Sequence, residues 1–415
     1  MSDEAARPSP ELHLGFWMLV SGGHIGSWRH PATHAETLLS VEHYAEIARI
    51  AARGKFDMVF FEDTLGARER NGGIFGEAAI NSLDPVVQIA ALAGATQDIG
   101  VAASYSTTYH PPEILADKFA TVQRLSGGRA AWNMVTSGDI AARNFGSGQH
   151  PERAVRYAKA HETVEAAKAL WASGPELPGG EPVLIQAGMS QWGLDFASTY
   201  GEGIFAMMKD LPTGQAFRSS LRRMAMDKGR SPDALRILPG FMALIGSTAA
   251  EIEAKQAFYR DLIHPALLRG MLGERFNFDF TEYPLDQPFP MNEILEHLEE
   301  RPIIGGARAR FIEEIRPGET VAAYAERTAR KISNHITVIG TPEDVADTMQ
   351  AWLQSGGCDG FIMQALQIPL ELELFVDEVV PILQRRGLQR TEYRGSTLRE
   401  HLGLARATPR AAATA

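Results

Sequence analysis

The chain has 415 residues, 45% hydrophobic and 22% charged, enough to bury a large core. Its net charge of −11 argues against nucleic acid, which needs clustered Lys and Arg. The single cysteine, Cys358, excludes an internal disulfide or a cysteine-rich metal site.

The N-terminus, MSDEAARPSP, lacks the basic start and apolar core of a signal peptide, and no apolar run reaches the roughly 20 residues that span a bilayer. A soluble, cytoplasmic protein is expected.

An apolar run at 12–20 is predicted to be a buried strand. It leads into GHIGSWRHP (23–31), a loop crowded with two histidines, a tryptophan and an arginine. A helix over 41–53 and a strand at 56–62 follow, then a helix at 85–95 and a strand at 99–107. The pattern continues with a helix at 113–125, a strand at 130–136 and a long helix at 155–171, where Tyr157, His161, Val164 and Trp171 recur at helical spacing. Strands at 182–186, 203–208 and 238–245 alternate with helices near 192–200 and 215–226. An eighth strand is expected at 360–363.

Repeated strand–helix units imply a parallel sheet with right-handed crossovers, and eight of them predict an α/β fold closed as a (β/α)8 TIM-like barrel. Its active site is then expected in the loops at the strands' C-terminal ends. Residues 263–334, dense in Pro, Phe and acidic side chains, interrupt the alternation and read as an insertion before the last strand, near the barrel mouth. One domain is expected over 1–402, with a flexible tail at 403–415.

Besides that first loop, the strand ends carry Glu62-Asp63, Ser104 to Thr108, Asn133 with Thr136-Ser137, and Gln186 to Ser190. Hydroxyls, amides and one carboxylate pair suit a neutral organic cofactor better than a metal, and the twelve histidines form no His-x-His or His-Glu-x-x-His. No Gly-x-Gly-x-x-Gly follows the first strand, no Walker loop is present, and no Gly-x-Ser-x-Gly sits at a strand-to-helix turn.

Eight segments then carry a resemblance. They are GxWRHP at 26–31, FDxxFxxD at 56–63, STTYxPP at 106–112, LSGGRAAWNMVTSGDIAARNFG at 125–146, RYAKAHE at 156–162, PVLIQAGMS at 182–190, IGTPEDVAD at 339–347 and YRGSTLREHLGL at 393–404. In this order, over nearly the whole chain, they resemble the FMNH2-dependent monooxygenases that act on nitrilotriacetate, EDTA, dibenzothiophene sulfone and long-chain alkanes. That group is a branch of the bacterial luciferase-like superfamily.

The resemblance implies a luciferase-type barrel, reduced FMN and O2 as cosubstrates, and a separate NAD(P)H:flavin reductase as partner. Oxygen would add to the reduced flavin, giving a C4a-peroxide that oxidises a small organic substrate, while the protein holds the flavin and excludes water. It also implies site residues. Asp63 matches the strand-two aspartate that accepts a hydrogen bond from flavin; read alone it suits a solvated carboxylate or a helix cap. Ser104 stands where threonine is usual, a mild departure, and Asn133 matches a pocket or flavin contact. Tyr157 and Ser190 match groups that hold the FMN phosphate.

Arg153 replaces a family histidine four residues before the tyrosine and either grips phosphate or points into solvent. His24 is the candidate catalytic residue, as donor or acid–base partner; a loop histidine bonded to backbone is the plainer alternative. Trp28 and His150 are assigned to the pocket, Trp28 as packing that excludes water, and Arg29 as a brace through a carboxylate. The segment 172–181 is shorter than in relatives and is expected to reshape the mouth. A homodimer is expected by analogy with similar barrels. A deazaflavin-dependent oxidoreductase and a non-catalytic flavin-binding protein are the alternatives.

Overall fold

The computed structural model describes residues 11–63, 83–138, 149–264, 278–300, 314–329 and 335–405, with 69–70, 73–74, 142, 145–146, 269–270, 272–273, 276 and 312 between them. Eight strands form the ring: β1 (His13–Trp17), β2 (Met58–Phe61), β3 (Gly100–Ser106), β4 (Ala130–Val135), β5 (Val183–Ala187), β6 (Gly203–Ala206), β7 (Arg236–Ile245) and, after one more strand, β9 (Gly360–Gln364). All neighbours pair in parallel, and β9 closes the ring by pairing with both β7 and β1. The predicted barrel is therefore present. The intervening strand, β8 (Ile336–Gly340), pairs with β7 outside the ring and was missed by the sequence pattern. Two strands, not one, follow the insertion.

Side chains alternate along each strand, so one set fills the barrel and the other meets the helices. Met58, Ala102, Ala131, Val183, Ile185, Leu238 and Ile362 form the interior layer, each at most 2% exposed. Leu14, Phe16, Val59, Phe61, Val101, Ala103, Trp132 and Leu184 face outward into the larger core. The helices there are α1 (Val41–Arg53), α2 (Pro85–Ala95), α3 (Pro112–Leu125), α4 (Arg153–Ser173), α5 (Gln191–Tyr200), α6 (Leu211–Asp227) and α7 (Ala249–Asp261).

Several of the segments that carry the resemblance lie at the base, away from the mouth. Arg129, nearly buried, donates to the carbonyls of Ile99 (2.6 Å), Ala93 (2.9 Å) and Thr96 (3.0 Å). Leu398, Leu402 and Leu404 join the interior cluster and plug the ring from below. Packing thus continues past the boundary expected at 402: Leu404 is 8% exposed. Positions 406–415 lie outside the described residues.

The shortened segment 172–181 also belongs to the base, not the mouth. Gln123 Nε2 donates to the carbonyls of Pro178 (3.0 Å) and Gly180 (2.9 Å). The reason is topological, since a helix-to-strand connection returns to the strands' N-terminal side. Within 263–334 the described residues Phe276, Phe280, Phe289, Ile294, Val321 and Tyr324 form a separate apolar cluster.

Candidate active site

The ends of β3 and β4 are cross-linked above the barrel. Thr107 Oγ1 donates to the Val135 carbonyl (3.1 Å), and Thr108 Oγ1 to the Thr136 carbonyl (2.9 Å). One layer down, where Ser104 and Asn133 are register partners, Asn133 Nδ2 donates to Ser104 Oγ at 2.8 Å. Both are 2% exposed, and the Asn133 carbonyl oxygen is buried without a donor. Asp63, two residues beyond β2, likewise has a buried Oδ2 that accepts no hydrogen bond, and so does Gln186 Oε1 at the end of β5. Burial, with smaller contributions from the Asp84 and Glu62 charges, pushes the Asp63 carboxyl up to about 7. The mouth thus holds buried acceptors without donors, a costly arrangement unless a ligand supplies N–H groups.

A second polar region lies at the start of α5. Ser190 caps this ten-residue helix, its Oγ accepting from the Gly193 N–H at 3.1 Å. The Tyr157 phenol, on the buried face of α4, would stand 3.4 Å from a Cβ on Gly188 and 3.2 Å from one on Gly193. Two glycines therefore let backbone approach a phenol beside a helix N-terminus, an arrangement suited to an anionic oxygen group. No group of three metal-ligating side chains occurs among the described residues.

The model of the luciferase-like monooxygenases matches residues 18–360. The chain belongs to that family. It is 34% identical to N-acetyl-S-(2-succino)cysteine monooxygenase of Bacillus subtilis, over 95% of this chain and 97% of that one. The solved EDTA monooxygenase of Chelativorans sp. BNC1 superposes with a TM-score of 0.73 at 30% identity, covering 95% and 99% of the two chains. A riboflavin lyase solved with modified FMN and riboflavin gives 0.80 at 26%, covering 96% and 97%. The chain is thus a luciferase-like monooxygenase.

Among the described residues, no hydrogen bond or ring contact joins His24, Trp28 or Arg153 to the two polar regions. His24 is buried in the loop after β1, its ring 5.0 Å from that of Tyr259 on α7. Its Nδ1 accepts from the Gly26 N–H (3.1 Å), and burial lowers its pKa to about 4. Trp28, in the same loop, is 42% exposed. Arg29 braces the loop, but through the Leu262 carbonyl (2.7 Å) rather than a carboxylate.

Arg153 is exposed on the first residue of α4, whereas Arg156, one turn on, is buried and donates to the Pro151 and Ser137 carbonyls. His150 Nδ1 lies 2.6 Å from the Tyr109 hydroxyl, linking the approach to α4 with the loop after β3.

Sequence reasoning missed one group. Trp17, Phe60, Phe205 and His335 form an aromatic box inside the barrel, with centroid separations of 5.3 Å for Trp17–Phe205, 5.9 Å for Trp17–His335 and 5.6 Å for Phe205–His335. Phe60 lies 6.3 Å from Trp17 and 6.0 Å from Phe205. The imidazole sits over Gly240 of β7, where a Cβ would come within 2.2 Å of Nδ1. Trp17 hid in an apolar run, and His335 precedes the strand that went unrecognised.

Proposed function

We propose that the chain is the oxygenase of a two-component system, taking reduced FMN from a separate NAD(P)H:flavin reductase and using O2 to oxidise a small organic molecule. The observation that carries this reading is the two-ended mouth, with buried acceptors at Asp63, Asn133 and Gln186 and a glycine-lined helix start at Ser190 beside Tyr157. These residues fit FMN: the acceptors suit ring N–H groups, and Ser190, Tyr157 and the α5 amides suit the phosphate. The riboflavin lyase described with modified FMN supports a flavin at this mouth. When bound, reduced FMN would supply the electrons that activate O2.

In this reading His24 is a donor, not a cation. The Gly26 N–H on Nδ1 puts the neutral ring's proton on Nε2, and burial keeps a second proton off above about pH 4. Arg153, exposed at the start of α4, reaches the phosphate only from the solvent side, and His150 serves through Tyr109. Trp28 belongs to the outer loop surface. The insertion borders the mouth in this reading, and the enzyme is cytoplasmic and a homodimer, by analogy with similar barrels.

The test is anaerobic mixing of protein and reduced FMN with oxygenated buffer, followed by absorbance. Protein-bound flavin should reoxidise through a transient spectrum distinct from free reduced and oxidised FMN, and the transient should shorten with substrate. Reoxidation identical to that in buffer would sink the reading and turn attention to a deazaflavin.

A further inference from the structure

The aromatic box is the upper interior layer of the barrel. Beneath it every interior side chain is sealed, while Trp17, Phe205 and His335 remain part-exposed, so the layer opens toward the mouth. Its register is built into the sheet: Trp17 pairs with Phe60 across β1 and β2, and Phe205 precedes the β6 residue paired with Pro239, next to Gly240. A glycine at 240 is what allows an imidazole from outside the ring to enter it.

Three observations bear on what such a box accepts. First, its walls are three apolar rings and an imidazole that burial keeps neutral, its pKa lowered to about 4. Secondly, the indole N–H of Trp17 is buried and donates to nothing. Buried donors of this kind are costly unless an acceptor arrives.

Thirdly, several described cations of the surrounding loops are engaged by backbone carbonyls, and the four rings of the box include no cation. Arg29 binds the Leu262 carbonyl, Arg156 those of Pro151 and Ser137, Lys159 that of Thr108, and Lys255 that of Ile245. The nearby ionisable group of the same mouth is a carboxyl, Asp63. A polycarboxylate seated among these four rings would lose its hydration and meet no cation among them.

We propose that the substrate is an uncharged molecule with a flat, aromatic body and a hydrogen-bond acceptor, seated among Trp17, Phe60, Phe205 and His335 with its acceptor toward the Trp17 N–H. The proposal rests on the oxygenase reading above and names the substrate class of that same mouth. Flat rings stack against aromatic walls, and the buried Trp17 N–H, which has no partner, selects an acceptor-bearing ring over a plain hydrocarbon.

The test titrates the full-length protein, loaded with FMN, with methyl phenyl sulfone, dibenzothiophene sulfone and nitrilotriacetate, reading heat of binding. FMN loading is read first, by quenching of flavin fluorescence. Failure at that step strikes the oxygenase reading, whereas failure of the sulfones on loaded protein strikes the substrate class alone. At least one aryl sulfone should bind at least tenfold more tightly than nitrilotriacetate, and Trp17→Phe should weaken it roughly fivefold, the effect of one lost neutral hydrogen bond, with FMN loading unchanged. Tighter binding of nitrilotriacetate, or no sulfone binding up to about 1 mM, would overturn the proposal. The wild-type comparison decides the class even if the variant does not fold.

Discussion

Asn133 donates its side-chain amide to Ser104 Oγ at 2.8 Å, and this bond fixes which way the amide points. Its carbonyl oxygen is thereby held in a buried position without a donor. Replacing Asn133 by Leu removes both groups and should weaken FMN binding by about tenfold, one to two hydrogen bonds' worth, while the thermal midpoint changes little. Equilibrium titration of FMN fluorescence measures this. Unchanged affinity would place the flavin elsewhere.

Asp63 gives a pH dependence whose sign is fixed. Its folded pKa, about 7, lies above the unfolded carboxylate value, so between about 4 and 7 the folded state binds more protons. The carboxyl's contribution is fully present below about 4 and is lost as pH rises through 7. Asp63→Asn should therefore stabilise the ligand-free protein at pH 8 by roughly 1–2 kcal/mol, allowing for solvent screening of a part-exposed group. FMN affinity of the wild type should rise with pH through 7, because only the carboxylate accepts fully, and the variant should lose that rise. Thermal melts and titrations at pH 6 and 8 check both.

The two buried histidines act in the opposite direction. His24 and His335 are each held neutral with pKa lowered to about 4, while the unfolded chain takes up a proton near 6.5. The unfolded state binds more protons between about 4 and 6.5, so stability should fall as pH falls through that window. His24→Asn should flatten the acid limb, shifting the midpoint at pH 5 upward relative to wild type by roughly 2 °C. An unchanged acid limb would mean these rings take up protons without cost.

Gly240 is the contact that admits His335. An alanine methyl there would lie 2.2 Å from the imidazole, so the ring must leave the box. Gly240→Ala should cost about 1–3 kcal/mol and lower turnover, yet leave FMN affinity within about twofold, because the acceptors lie on β2 to β5. Denaturant melts with flavin titrations separate the two effects.

The base plug predicts a purely structural variant. Leu398 is fully buried among the interior side chains, so Leu398→Ala should cost about 2–5 kcal/mol while the Michaelis constant stays put. A changed Michaelis constant would link the base to the mouth.

The eight ring strands were legible because each is a short apolar run set between helices of clear 3.6-residue spacing; α1 and α2 match their predicted bounds. β8 was not, since its five residues follow a segment that breaks the pattern and pair only outside the ring. Ser190 stands just before the helix expected near 192–200, and its hydroxyl caps that helix locally, within three residues. The Trp17–His335 contact was not legible, because it joins opposite parts of the chain and no local rule marks it. The expected role of 172–181 failed because segment length says nothing about which end of a barrel it reaches.

β1 can complete its pairing only with β9, and the leucines that stopper the ring come later still, from the last described segment. A nascent chain leaving the ribosome therefore carries an open sheet with an apolar lumen until residues 360–404 have emerged. Production of this protein should accordingly depend on chaperones that shield the open lumen in the meantime.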